Sequence, residues 1–182
     1  MQALTFWKTI IMDQSNLLEG LISLLNKQGI RFCVIGGQAV NAYVEPLVSL
    51  DLDLVVALEQ LALVEALLKP KFDLKRFPHS LNVSMTGSDL RVQFQTDERY
   101  GSFVKRSEIR TVLGMELPVA SLGDVLQGKI WAAMDPERRG SKRQKDLADI
   151  ARILEKVPEM RLKVPPEIRA RLVDEAPDHT LQ

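Results

Sequence analysis

The chain has one cysteine and two histidines in 182 residues, and its charges cancel, with 24 Lys and Arg against 24 Asp and Glu. A lone Cys33 excludes an intramolecular disulfide, and its place in the apolar run from Arg31 to Ile35 reads as a buried small hydrophobe. His79 and His179 are too few and too far apart to suggest a metal site. A formal net charge of zero provides no global field to draw in DNA, RNA or an anionic membrane, so any polyanion must be held by a local patch. No apolar run approaches the roughly 20 residues of a membrane span. The N-terminus also lacks the charged, apolar, small-residue order of a signal peptide. The expectation is a protein that is neither exported nor inserted in a membrane, in a reducing, cytoplasmic setting. No internal repeat or low-complexity stretch interrupts the chain.

What is present is an ordinary globular composition, with 46% hydrophobic and 26% charged residues. Leu17, Leu21, Leu24 and Leu25 recur at helical spacing before Gly29, which predicts an amphipathic helix with a glycine C-cap. Ile30 to Ile35 reads as a strand, cut by Gly36-Gly37 and followed by a short helix over 38–43. Pro46 blocks continuation, and Asp51 to Val56 resumes a strand in which acids alternate with apolar residues. Residues 58–69 predict a second helix stopped by Pro70. The period then changes to two over 72–77, 81–85 and 90–94, with hairpin chemistry at Thr86-Gly-Ser-Asp89, so an antiparallel extension of the sheet is expected. Helices are predicted near Glu98 to Arg106, from a Ser121/Asp124 capping box to about Met134, from Ser141, and near Pro166 to Glu175. The sum is an α+β fold with a mixed sheet: a core over 1–120 and a helical C-terminal part over 121–182, packed as one unit.

The chemistry concentrates in Val34-Ile-Gly-Gly-Gln-Ala-Val-Asn41 and Ser49-Leu-Asp-Leu-Asp-Leu-Val-Val56. Asp51 and Asp53 stand at i and i+2, on one face of a strand and about 6.6 Å apart, close enough to share a divalent cation such as Mg²⁺. The turn at Gly36 and Gly37 offers backbone N–H groups to an anion, and the missing side chains let a phosphate approach. Taken alone, two glycines are a turn and an Asp-x-Asp strand is a solvated face. In this order and spacing they resemble the nucleotidyltransferase signature of the DNA polymerase β superfamily, and more closely the small toxin-related proteins of AbiEii type. The resemblance covers Ile30 to Glu155, including Lys145-Asp-Leu-Ala-Asp-Ile150.

This resemblance implies a polymerase β-like nucleotidyltransferase fold. In it Gly36, Gly37, Ser49 and Gln93 would attend the nucleotide, and Asp51 and Asp53 would ligate Mg²⁺. The implied reaction transfers a nucleotidyl group from an NTP to a hydroxyl on RNA, protein or a small molecule, without DNA or membrane partners. The alternative is a degenerate nucleotide-binding or interaction module, such as a toxin–antitoxin component with an antitoxin-type protein partner. Relatives carry Gly, Arg and Thr where this chain has Val44, Leu47 and Ser49; the serine keeps the hydroxyl and the leucine removes a charge. Where the superfamily places a third carboxylate, this chain aligns Gln93, which cannot act as a general base. Asp89 and Asp97 lie four residues to either side, about 13 Å along a strand, and read as turn and strand-end residues.

Lys129 is either a solvated helix lysine or, as the resemblance implies, a catalytic point charge on phosphate. Arg138, Arg139, Lys142, Arg143 and Lys145 put five cations in eight residues, enough to grip a polyanion. Lys142/Asp146 and Lys145/Asp149 are equally i,i+4 pairs of an exposed ionic face, unless Asp146 and Asp149 turn to orient Lys129. Tyr100 and Trp131 read as packing residues.

Overall fold

In the computed structural model, which describes residues 17–173, the leucine spacing builds a helix over 17–27, α1, with Leu17, Leu21 and Leu25 fully buried. It ends at Gly29, whose φ of +63° lies in the left-handed region that glycine enters without penalty. The chain then enters β1 (Phe32–Ile35), turns straight into the six-residue helix α2 (Gly36–Asn41), and returns as β2 (Asp51–Val56), antiparallel to β1. In β2 the alternation works as predicted. Leu52 and Leu54 are fully buried while Asp51 and Asp53 keep partial exposure on the opposite face.

A short 3₁₀ turn over Leu58–Gln60 leads into α3 (Leu61–Leu68), so the predicted second helix starts tighter than an α-helix. The strands β3 (Asp73–Phe77), β4 (Ser80–Ser84) and β5 (Arg91–Gln95) form an antiparallel meander, and β5 docks parallel to β2. The segment Glu98–Arg106 is helical but 3₁₀, capped by the Asp97 side chain, which accepts from the Arg99 N–H at 3.0 Å. Residues 107–120, where the sequence shows no clear period, form a hairpin of β6 (Glu108–Val112) and β7 (Met115–Val119). The finished sheet has seven strands in the order β3-β4-β5-β2-β1-β7-β6, with β1 and β2 at its centre.

The C-terminal helices are α4 (Leu122–Met134), α5 (Gly140–Lys156) and the short α6 (Pro166–Arg169), the rest of the last predicted helix lying partly outside the described residues. Ser121 caps α4 as expected, accepting from the Asp124 N–H at 3.3 Å while donating to its carboxylate at 2.9 Å. A two-pronged Arg106–Asp124 pair, at 2.9 and 2.7 Å, ties the 3₁₀ segment to α4. Leu147, Ile150, Ile153 and Leu154 bury the apolar face of α5, which packs along α4. No helix among the described residues is long and apolar enough to cross a membrane.

Candidate functional site

Antiparallel pairing of β1 with β2 sets Ile35 opposite Asp53, so the first residue beyond β1, Gly36, lies against the second aspartate. Its φ is +68°, and a Cβ built on it would stand 2.1 Å from Asp53 Oδ2. Glycine is therefore required at 36 twice over, for the backbone turn and for the carboxylate seated against it. Gly37 is under no such constraint, since a Cβ there would meet only Ser49 Oγ at 3.9 Å. The loop from α2 to β2 is pinned at both ends. Asn41 accepts from the Leu47 N–H at 3.0 Å and donates to the Leu47 carbonyl at 2.6 Å, and Gln38 Nε2 donates to the Ser49 carbonyl at 2.8 Å. The Ser49 hydroxyl accepts from the Asp51 N–H at 3.4 Å, so it braces the start of the acidic strand.

Parallel pairing of β2 with β5 sets Asp51 opposite Arg91 and Asp53 opposite Gln93. Arg91 pairs with Asp51 at 2.8 Å, but its side chain is 72% exposed, so the contact is weak and readily exchanged. No hydrogen bond or ion pair engages the Asp53 carboxylate among the described residues. Burial holds its pKa above the usual carboxylate range, against the pull of Lys129 and with added repulsion from Asp51. The donor set, two carboxylates with Gln93 opposite the second on the neighbouring strand, would suit one hard divalent ion. Among the described residues no group of three His, Cys, Asp or Glu side chains gathers for a metal.

Asp53→Asn should therefore stabilise the fold. The native pKa of Asp53 lies above the ordinary carboxylate value of 3.8, so ionisation penalises the folded state fully above the native value. The penalty shrinks as pH falls through that value and is gone near 3.8. Thermal melts should show the variant ahead of the wild type at neutral pH, with the gap closing as pH is lowered towards 4.

Lys129 is not a solvated helix lysine. It is 7% exposed and pairs with Asp146 at 3.0 Å and Asp149 at 2.7 Å. Burial works against its ammonium, but Asp149 and Asp146 outweigh burial and hold its pKa above the ordinary lysine range. The exposed i,i+4 ionic face is likewise corrected. Asp146 and Asp149 are 1% and 3% exposed and turn inward, because their carboxylates are taken by Lys129, Arg138 (2.7 Å) and Arg152 (2.8 Å). Arg152 also donates to Asn41 Oδ1 at 3.0 Å and to the Glu45 carbonyl, which links α5 to the loop entering the acidic strand. No ion pair holds Lys142 or Lys145 among the described residues. Both line a cleft of about 440 Å³ shared with Gly37, Asp51, Asp53 and Arg138.

The structure thus brings together Gly36, Gly37, Ser49, Asp51, Asp53 and Gln93, with Lys129 behind them as a braced ion-pair partner. Asp97 and Asp89 do not join the metal donors: Asp97 caps the 3₁₀ segment and Asp89 lies in the β4–β5 loop. His179 lies outside the described residues. Lys75 and Arg91 on the sheet side of the cleft were not foreseen, since only the strand order brings them to it. Cys33 is buried as expected, and burial, with the charge of Asp124, pushes its thiol up to about 12.

No family model matches the sequence, and no curated protein matches it. Solved structures do share its fold. The solution structure of the antibiotic-resistance factor ANT(2'')-Ia superposes with a TM-score of 0.59 at 16% identity, covering 87% of this chain and 92% of that one. Its crystal structure in complex with adenylyl-2''-tobramycin gives 0.57 at 15% identity, covering 87% and 98%. An antigenic nucleotidyltransferase-like protein from Paracoccidioides brasiliensis gives 0.52 at 15% identity, covering 92% and 97%. The chain has the polymerase β-like nucleotidyltransferase fold.

Proposed function

We propose that the chain is a Mg²⁺-dependent nucleotidyltransferase that moves a nucleotidyl group from an NTP to an acceptor hydroxyl. The observation that carries this reading is the unpartnered Asp53 carboxylate, seated against Gly36 beside Asp51, with Arg138, Lys142 and Lys145 across the cleft. Asp51 and Asp53 would hold the metal, which when bound supplies charge neutralisation at the phosphates. The acceptor oxygen bonds to the α-phosphorus, the α–β phosphoanhydride bond breaks, and pyrophosphate leaves while the hydroxyl proton passes to water. Arg138 is aimed by Asp146 and contributes, with Lys142 and Lys145, the positive wall for the triphosphate. Lys129 acts as a positioning residue, because its ammonium is already committed to Asp146 and Asp149.

ANT(2'')-Ia, whose crystal structure holds adenylyl-2''-tobramycin, supports transfer to a hydroxyl compound as the class of reaction. The AbiEii-type resemblance over Ile30 to Glu155 supports a place near the toxin-related members, with an antitoxin-type protein as partner.

One observation favours a second reading. Gln93, not an acid, lies opposite Asp53, which suits a module that binds Mg·NTP without transferring it. Incubation with each radiolabelled NTP, Mg²⁺ and total RNA, candidate proteins or small hydroxyl compounds decides between them. Transfer predicts a labelled acceptor and at least about a 100-fold loss of label in Asp53→Ala. Label that survives the substitution contradicts the mechanism, and Mg·NTP binding without label selects the second reading.

A further inference from the structure

Gln93 lies between two openings of unlike character. On one side is the cleft already described, with Lys75, Arg91, Lys142 and Lys145 on its walls. On the other is a recess of about 100 Å³ between β5, the 3₁₀ segment and α4, bounded by Gln93, Gln95, Tyr100, Phe103 and Gly128, whose inner wall is Asp53 and the mutually paired Lys129, Arg138 and Asp146 that it shares with the cleft. Tyr100 is 7% exposed, yet its hydroxyl has no hydrogen-bond partner among the described residues. Burial pushes that hydroxyl up to about 12, so it remains a proton donor at neutral pH. Gly128 keeps the recess open, since a Cβ there would lie 3.1 Å from Tyr100 Cε1 and 3.8 Å from its Oη. The Gln95 side-chain Oε1 accepts from the Thr96 and Asp97 N–H groups at 2.9 and 3.1 Å, which leaves its NH₂ group as a donor. Asp124, on the same wall, is neutralised by Arg106. With Lys129, Arg138 and Asp146 paired among themselves, one phenol and two carboxamides beside aromatic rings remain on the side away from Asp53, which is the chemistry of a site for uncharged hydroxyl groups.

The recess opens outward on a cleft of about 340 Å³ that shares Gln93, Gln95 and Tyr100 with it. Trp131, Asp135, Glu137 and Arg138 line that outer cleft, where Asp97 and Arg99 neutralise each other at 2.6 Å, so two carboxylates face one guanidinium that also reaches Asp146. The excess of Asp135 and Glu137 over Arg138 would repel a polyanion and attract an ammonium.

We infer that this recess and its outer cleft are the acceptor site, built for a small, sugar-sized hydroxyl compound that is uncharged or cationic, and not for RNA. The inference rests on the nucleotidyl-transfer reading and names the acceptor class for it.

The two tyrosines of the chain make the test direct. With ¹³C-labelled tyrosine, Tyr100 reports the recess, and Tyr43, whose hydroxyl donates to the Ala120 carbonyl at 2.9 Å, serves as control. Glucosamine at millimolar concentration should shift the Tyr100 signal and leave Tyr43 in place, whereas a twelve-residue oligoadenylate should shift neither. Gly128→Ala, which fills the recess, and Glu137→Lys, an exposed change that reverses charge, should each weaken the glucosamine response by at least about threefold. A Tyr100 signal that ignores glucosamine, a response to oligoadenylate, or a response unchanged in both variants overturns the assignment. Titration of the same sample with Mg·ATP keeps the two claims apart: binding there with a silent Tyr100 removes only the acceptor site, and no Mg·ATP binding removes the nucleotidyl-transfer reading itself.

Discussion

Lys129→Met is expected to lower the stability of the fold by about 3 kcal/mol, a fall of roughly 6–12 °C in Tm. The substituted side chain fills similar space, so the loss comes from charge. Asp146 and Asp149 are almost fully buried, and without the ammonium each keeps a single arginine partner, Arg138 or Arg152. Removing one member of a buried ionic cluster leaves desolvated charge uncompensated, which is costlier than replacing the whole cluster by apolar groups. The pH dependence follows from the raised native pKa of Lys129. Its contribution is complete below the ordinary lysine value of 10.5 and is lost only as pH climbs through the higher native one. Melts of wild type and variant should therefore differ fully at pH 7 and converge only in strong alkali. A deficit under about 1 kcal/mol at pH 7 would mean that the two arginines alone satisfy the aspartates.

The second large effect is on binding. Gly36→Ala should weaken Mg·NTP affinity by about 100-fold or more, whereas Gly37→Ala should weaken it much less. At 36 the new methyl occupies the place of Asp53 Oδ2, 2.1 Å away, and the left-handed backbone adds about 1 kcal/mol of strain. The carboxylate must swing out of its seat for the chain to close. At 37 the nearest atom is 3.9 Å away and the backbone is not left-handed, so a methyl fits. Equal losses at both positions in a nucleotide titration would show that the glycines act through open backbone alone and not through the seating of Asp53.

The core of the site was legible because its signals are local. Two acids at i and i+2 with leucines between them mark a two-faced strand, and Gly-Gly after an apolar run marks a break, which the fold realises as the first residues of α2, so the order and spacing of Gly36, Asp51 and Asp53 could be read without tertiary information. What the alternation cannot supply is partnership. Lys142/Asp146 and Lys145/Asp149 obey the i,i+4 rule, but that rule holds on wet helix faces, and here α4 covers the acids and presents Lys129, which is 17 residues from Asp146. The hairpin of β6 and β7 escaped for a different reason. Its turn places Leu113 at φ +50° before Gly114 at +80°, a position where Asn or Asp is the usual signal. Tyr100 read as packing because its ring does pack, in edge-on contact with Phe103 and Trp131. Only the fold shows that its hydroxyl is left over.

The most direct test is calorimetric titration of Mg·ATP into the wild-type chain and into Asp51→Asn. The account predicts binding that requires Mg²⁺ and that weakens by about 10- to 100-fold in the variant, because one of two charged oxygen ligands is lost. Equal affinity for both proteins, or affinity indifferent to the cation, would contradict a nucleotide site built on the paired aspartates.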